Sequence, residues 1–247
     1  NALDLNVLNA AVNTWVGGLA GDWDVIANWS FGALPLLGDD VLIDTAGAVV
    51  TIDALANTIN TLTMDSGILL DVMSGSLTIQ SASTIDGDMT VTGGGLTLNG
   101  ATVVNGTFGW TAGAVSAPGT LTLNGVTTIG GGDLPLNTGL IIHTNASGSS
   151  SFAPTQFNLN NSTFRNTGTL DVGDVFLDQD TIGPGAFENT GTLNKVGAGQ
   201  FDVSNSGTLT FSSTGTNNVL AGEVFVNRDN VISGFLNGPG KLVWNSG

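Results

Sequence analysis

Short runs in which apolar and polar residues alternate recur along this chain. Leu62-Thr63-Met64, Leu77-Thr78-Ile79, Leu96-Thr97-Leu98, Leu121-Thr122-Leu123 and Leu209-Thr210-Phe211 each place two apolar side chains either side of a threonine. On an extended backbone, residues i and i+2 share a face, so each run predicts a short strand with one apolar side and one hydroxyl side. Two runs continue as Leu-Thr-Leu-Asn-Gly, ending at Gly100 and Gly125. The last third repeats Asn-x-Gly-Thr-Leu at 166–170, 189–193 and 205–209, with Phe164, Phe187 or Val203 two residues ahead of the Asn. Gly and Asn at the ends of such runs supply the positive φ that a sharp corner asks for.

A strand of about five residues does not bury its apolar face alone. Stacked coils solve this, because each backbone pairs with the coils above and below and one core runs through all of them. The pattern therefore predicts an all-β fold, a parallel β-helix (β-solenoid) with coils of about 20 residues. About ten coils at about 4.8 Å each make a rod of about 50 Å. Identical residues in successive coils then stack as ladders, with Asn166, Asn189 and Asn205, and Thr169, Thr192 and Thr208, as the candidates. The intervals between repeats are uneven, and a β-sandwich or barrel of similar strands is the alternative. The solenoid is expected over 41–247, with a candidate subdivision at 145–155, where Asn145-Ala-Ser-Gly-Ser-Ser-Ser151 reads as a polar loop.

Composition narrows the role. The 247 residues carry 20 acids, 18 of them Asp, against 4 Lys and Arg, for a net charge of −16. Residues 1–164 contain no Lys or Arg at all. Nucleic acid and anionic membrane surfaces are thereby disfavoured as partners, since both are gripped by clustered cations. There is no cysteine, which removes disulfides, thiolate metal sites and a cysteine nucleophile. No run of 18 apolar residues exists to span a membrane as a helix. Scarce lysine together with absent cysteine points to export. The chain opens on Asn1 without Met or a leader, which reads as a mature or excised fragment, and it stops after the strand-like Trp244, which reads as a chain that continues.

Residues 1–40 differ from the rest. Leu3, Leu5 and Val7 alternate with Asp4 and Asn6, a candidate edge strand for self-association. Three of the five Trp follow, at Trp15, Trp23 and Trp29. A terminal coil needs a cover, so a Trp-rich cap is one reading; a set of rings for stacking on sugars is the other. The pattern Trp15-x-Gly, Gly21-Asp22-Trp23, Asn28-Trp29-Ser30, Gly32, Pro35, Asp39-Asp40-Val41 resembles the opening of bacterial surface β-strand-repeat proteins. These include autotransporter passengers and filamentous-haemagglutinin-like proteins. The Phe-x-Asn-x-Gly-Thr-Leu repeats resemble the same group. The resemblance touches about a third of the chain and carries no catalytic motif. It implies export to the extracellular bacterial surface, a right-handed β-helix, and service as an adhesin, fibre or layer component.

Candidate chemistry is sparse. His143, the one histidine, lies in a strand-like run without a nucleophile elbow, so a Ser-His-Asp triad has no support. Carboxylate pairs such as Asp39/Asp40, Asp86/Asp88 and Asp178/Asp180 leave open a polysaccharide-degrading β-helix, although no Lys or Arg lies in the Asp-rich part to act as a base. Gly93–Gly95 and Gly130–Gly132 are bends rather than phosphate loops, with no Lys after them. Oxygen donors lie close in sequence at Asp22, Asp24 and Asn28, and at Asp171, Asp174, Asp178 and Asp180, which makes calcium the candidate ion and solvated loop acids the alternative. The expected function is an exported structural or adhesive module that needs no cofactor and self-associates or joins neighbouring repeats. The alternatives are binding of a surface polysaccharide through Trp15, Trp23 and Trp29, and polysaccharide degradation.

Overall fold

The computed structural model describes residues 12–147, 150–178, 183–203, 208–227 and 230–245. Leu3, Leu5, Val7, Asp180 and Asn205 lie outside these ranges. The fold is a β-solenoid of about ten turns, with all its strand ladders parallel. Each full turn contributes to three sheets in the same order. Asp40–Ile43 enters the first, Val49–Ile52 the second and Ala56–Ile59 the third. Thr61–Met64, Leu69–Val72 and Ser76–Ile79 then stack on them one turn later. The same sequence of sheets continues to Val231–Ile232, Phe235–Asn237 and Lys241–Asn245. In the middle turns the strands Asp88–Leu98, Phe108–Leu123 and Thr127–His143 run around corners and serve more than one sheet.

Alternation builds the core. Leu62 and Met64 are buried while Thr61 and Thr63 face out, and the same holds for Leu77 and Ile79 around Thr78. Inward residues form columns from turn to turn. Phe164, Phe187 and Phe211 are register partners in the first sheet, with ring centroids 5.2 and 5.9 Å apart. Trp110, Phe152 and Phe157 fill the middle, where side chains this large occupy space that aliphatic residues fill elsewhere. Within 145–155 the ladder is seen from Ser150 onward, since 128–136 pair with 151–159 and 150–152 pair with 170–172.

Two sequence expectations change in register. Asn166 does stack on Asn189, but the next position of that column is Ser213. Likewise Thr169 stacks on Thr192 and then on Thr216, not Thr208. The column continues in Phe211-Ser-Ser213-Thr-Gly215-Thr216. The glycines of this motif are also needed for a different reason from the one expected. A Cβ on Gly168, Gly191 or Gly215 would sit 2.1–2.2 Å from a carbonyl oxygen of the turn below. Close approach of stacked corners, not positive φ, excludes a side chain there.

Candidate functional site

The Trp-rich segment closes the amino-terminal end. Trp15 and Trp29 form an isolated antiparallel bridge, and Ser30 N–H donates to Thr14 O at 2.9 Å. The segment thus covers the outer edge of the first strand, Val12–Thr14. The rings pack edge-to-face, Trp15 on Trp29 at 5.3 Å and Trp23 on Trp29 at 4.6 Å. Trp29 Nε1–H donates to Trp23 O at 2.7 Å and Trp15 Nε1–H to Gly18 O at 3.0 Å. All three side chains are at most 2% exposed. This corrects the stacking role considered for Trp15, Trp23 and Trp29: their faces are spent on one another and on the core, and none is presented to a sugar. Trp110 is buried too.

The paired acids of this cap do converge, with a partner the sequence did not suggest. Asp22 ends the strand Ala20–Asp22, which pairs with Val49–Ile52, so Asp53 arrives beside it from the next turn. Ligand oxygens of Asp22, Asp24 and Asp53 all lie within 4.8 Å of one another. Two of the three are held firmly. Asp24 accepts from Leu55 N–H at 2.8 Å and Asn57 Nδ2–H at 2.9 Å, and Asp22 Oδ1 accepts from Asp24 N–H at 2.8 Å. Asn28 contributes its amide to Asp22 O at 2.8 Å and no carboxylate ligand. Asp53 is exposed, and repulsion from Asp22 pushes its carboxyl above the usual range. Three carboxylates so placed suit a hard divalent cation. Spacing in the sequence did not signal this, because the Trp-rich segment lengthens the turn: Asp53 follows Asp24 by 29 residues, beyond the coil of about 20 expected.

The second acid set separates. Asp171 accepts from Asn194 Nδ2–H at 2.8 Å, Asp178 from Gln156 Nε2–H at 3.3 Å, and Asp174 from Lys195 Nζ at 2.8 Å. Among the described residues Asp171, Asp174 and Asp178 do not form one metal-holding group. Their register explains why: each belongs to a different face or corner of the coil and is satisfied by the turn that stacks on it.

That role is general and was not legible beforehand. Asn105 Nδ2–H donates to Asp86 at 2.6 Å, Asn124 to Asn105 at 2.8 Å, and Thr144 to Asn124 at 2.7 Å. A second outer ladder runs from Asn237 through Asn218 and Asn194 to Asp171. Each ladder ends on a carboxylate, the one side chain here that only accepts. Asp86 and Asp171 thus serve as the termini of amide and hydroxyl ladders.

Two ionisable groups are fully buried. His143 Nδ1 lies 2.8 Å from Asn166 Oδ1, while Asn166 Nδ2–H donates onward to Asn189 Oδ1. That direction assigns the proton to His143 Nδ1. Nε2 has no partner among the described residues, and burial holds the imidazole below its ordinary pKa. Lys195 occupies an inward position between Val172 and Val219, and its ammonium reaches Asp174 and Gly197 O at the corner. The hydrogen bond from Lys195 holds the Asp174 carboxyl below the usual range. Both groups act as parts of the stack.

Concave surface is shallow where it is found. A depression of about 240 Å³ lies between Leu34–Leu37 and the strand Ala56–Ile59, and another of about 200 Å³ beside Ser74–Ser76. Both are smaller than the about 300–1,000 Å³ usual for small-molecule sites. No helix of the described residues is long and apolar enough to cross a membrane. Comparison with protein-family models, curated sequences and solved structures finds no match to this chain, so its fold and these sites are what a functional reading rests on.

Proposed function

We propose that this chain is an exported structural or adhesive module of a bacterial cell-surface fibre, sheath, layer or large adhesin, and that it acts as a stiff spacer. The observation that carries the reading is the continuous three-sheet ladder over about ten turns. The interior turns are pinned on both sides by backbone pairing and a filled core, which suits resistance to bending more than turnover of a substrate. The opening motif and the Phe-x-Asn-x-Gly-Thr-Leu repeats, which resemble those of bacterial surface β-strand-repeat proteins, favour the same role and location. The scarcity of Lys and absence of Cys agree with export. Where a cation enters, calcium at Asp22, Asp24 and Asp53 is the choice that matches the donors. Calorimetric titration of the chain and of Asp53→Asn with calcium tests that part: heat with the first and none with the second is expected, and equal heats would overturn it. Negative-stain microscopy tests the spacer itself, with discrete straight particles expected and round particles overturning it.

A further inference from the structure

The third sheet lacks a strand in the first turn, although chain order puts one there. The first and second sheets begin with Val12–Thr14 and Ala20–Asp22, which pair with Asp40–Ile43 and Val49–Ile52. The chain then leaves the second sheet at Ile52, forms Ala56–Ile59 in the third and enters the first again at Thr61. One turn below, the residues at the station of Ala56–Ile59 are 34–39, just ahead of Asp40. They form no strand, and among the described residues Ala56–Ile59 pairs with Ser76–Ile79 alone. Ser76 N–H and Gln80 N–H donate to Leu55 O and Ile59 O, so by alternation the amides and carbonyls of Ala56 and Thr58 face the turn below. Between them and residues 34–37 lies the depression of about 240 Å³, and Leu36 and Leu37 are 65% and 70% exposed.

The ladder between the two turns has nonetheless begun. Asn60 N–H donates to Asp39 O at 2.9 Å, and one turn later Ser81 N–H donates to Asn60 O at 2.8 Å. In the upper turn that corner bond follows directly on the paired strands Ala56–Ile59 and Ser76–Ile79. In the lower turn the ladder stops at it, because the chain folds back on itself. Leu36 N–H donates to Asp39 Oδ2 and Asp39 N–H donates to Leu36 O, both at 2.9 Å. Gly38 makes this turn with a φ of 105°, and a Cβ there would meet nothing within 4 Å. The hinge is therefore a residue with both the conformational range and the room to swing.

We propose that residues 36–39 are a strap that swings about Gly38 and closes onto Ala56–Ile59, giving the third sheet the strand its first turn lacks. This goes beyond the spacer reading and does not depend on it. The corner bond fixes the register: repeating the pattern of the turn above sets Leu36 opposite Ala56 and Leu37 opposite Asn57. The ladder then reads Ala56 N–H to Pro35 O, Leu37 N–H to Ala56 O, Thr58 N–H to Leu37 O, and Asp39 N–H to Thr58 O. Pro35, which has no N–H to give, stands where the new strand starts. Leu37 turns inward, level with the buried Asn57. Closing exchanges the two bonds between Leu36 and Asp39 for four ladder bonds and takes Leu37 out of water; the entropy of fixing Gly38 in a strand opposes it. The closed strap covers a backbone edge of the kind to which extended chains add.

The absence of cysteine makes the test clean. Leu36 and Ala56 are outward register partners in the closed strap, and parallel neighbours at about 4.8 Å are within disulfide reach. Leu37 lines the same depression but faces inward once the strap closes. Leu36→Cys with Ala56→Cys and, separately, Leu37→Cys with Ala56→Cys are oxidised in dilute protein, and intramolecular linkage is followed in time. The first pair should link at least about ten-fold faster than the second. Asp39→Ala releases Leu36 N–H and should speed the first pair at least about five-fold while leaving the second unchanged. Equal rates for the two pairs, or an Asp39→Ala effect that is absent or common to both, overturn the strap. Hydrogen exchange by NMR gives a reading free of cysteine: Thr58 N–H should exchange at least about five-fold more slowly in Asp39→Ala than in the parent chain. Equal or faster exchange at Thr58, with the amides of Ser76–Ile79 unchanged, likewise overturns it.

Discussion

At the scale of single residues, His143 and Lys195 show how this fold uses polar groups inside. The Asn166 column asks for a donor from the turn below, and His143 Nδ1–H supplies it while Nε2 has no partner among the described residues. Because burial lowers the folded-state pKa, the unfolded chain takes up the proton more readily. Stability from this group is complete above about pH 6.5 and falls as pH drops toward the folded value, at up to about 1.4 kcal/mol per pH unit. His143→Asn keeps a donor for Asn166 and removes the titration. Melting temperatures between pH 7.5 and 5 should therefore fall for the parent chain and fall less for the variant; parallel curves would show that His143 does not titrate with unfolding. Lys195 fills an inward position with its stem and needs Asp174 for its charge. Asp174→Ala should cost on the order of 2 kcal/mol, less than the about 3–5 kcal/mol of a wholly buried pair because Asp174 is half exposed. Lys195→Met should be close to neutral, and urea unfolding of both variants checks the pair. Period two along Thr192-Leu193-Asn194-Lys195 already places Lys195 inward, so this position was legible; its partner on the preceding turn was not.

At the scale of elements, the Leu-Thr-Leu alternation gave away strands and their inner faces, because side-chain direction in a strand depends only on parity. It did not give away which sheet each strand joins. Leu62-Thr63-Met64 and Leu121-Thr122-Leu123 lie in the first sheet, but Leu77-Thr78-Ile79 and Leu96-Thr97-Leu98 lie in the third. Similar motifs on different sheets explain the uneven intervals. The true vertical spacings, 19 to 24 residues across most ladders, appear only once strands are paired. Asp53 escaped notice because its partners are a turn away, and the carboxylate-ended ladders because their members share no local motif. Corners carry a sharper prediction. Gly191→Ala puts a Cβ 2.2 Å from Gly168 O, whereas a Cβ at Gly132 meets nothing within 4 Å. Gly191→Ala should destabilise by about 2–4 kcal/mol and Gly132→Ala by less than about 1 kcal/mol, read from denaturant midpoints. Equal effects would mean that the corners do not stack as closely as the structure places them.

At the scale of the molecule, the segment with Trp15, Trp23 and Trp29 covers the amino-terminal edge of the first sheet, and the coils after it stack in one direction. The polarity this gives the rod follows the sequence, with acids at the start and all four Lys and Arg after residue 164. Small-angle X-ray scattering from dilute protein in chelator is the most direct test of this account. Stacking of about ten turns at about 4.8 Å predicts a rod close to 50 Å long with a constant cross-section. A symmetric distance distribution, as a sandwich or barrel of the same mass gives, would contradict it.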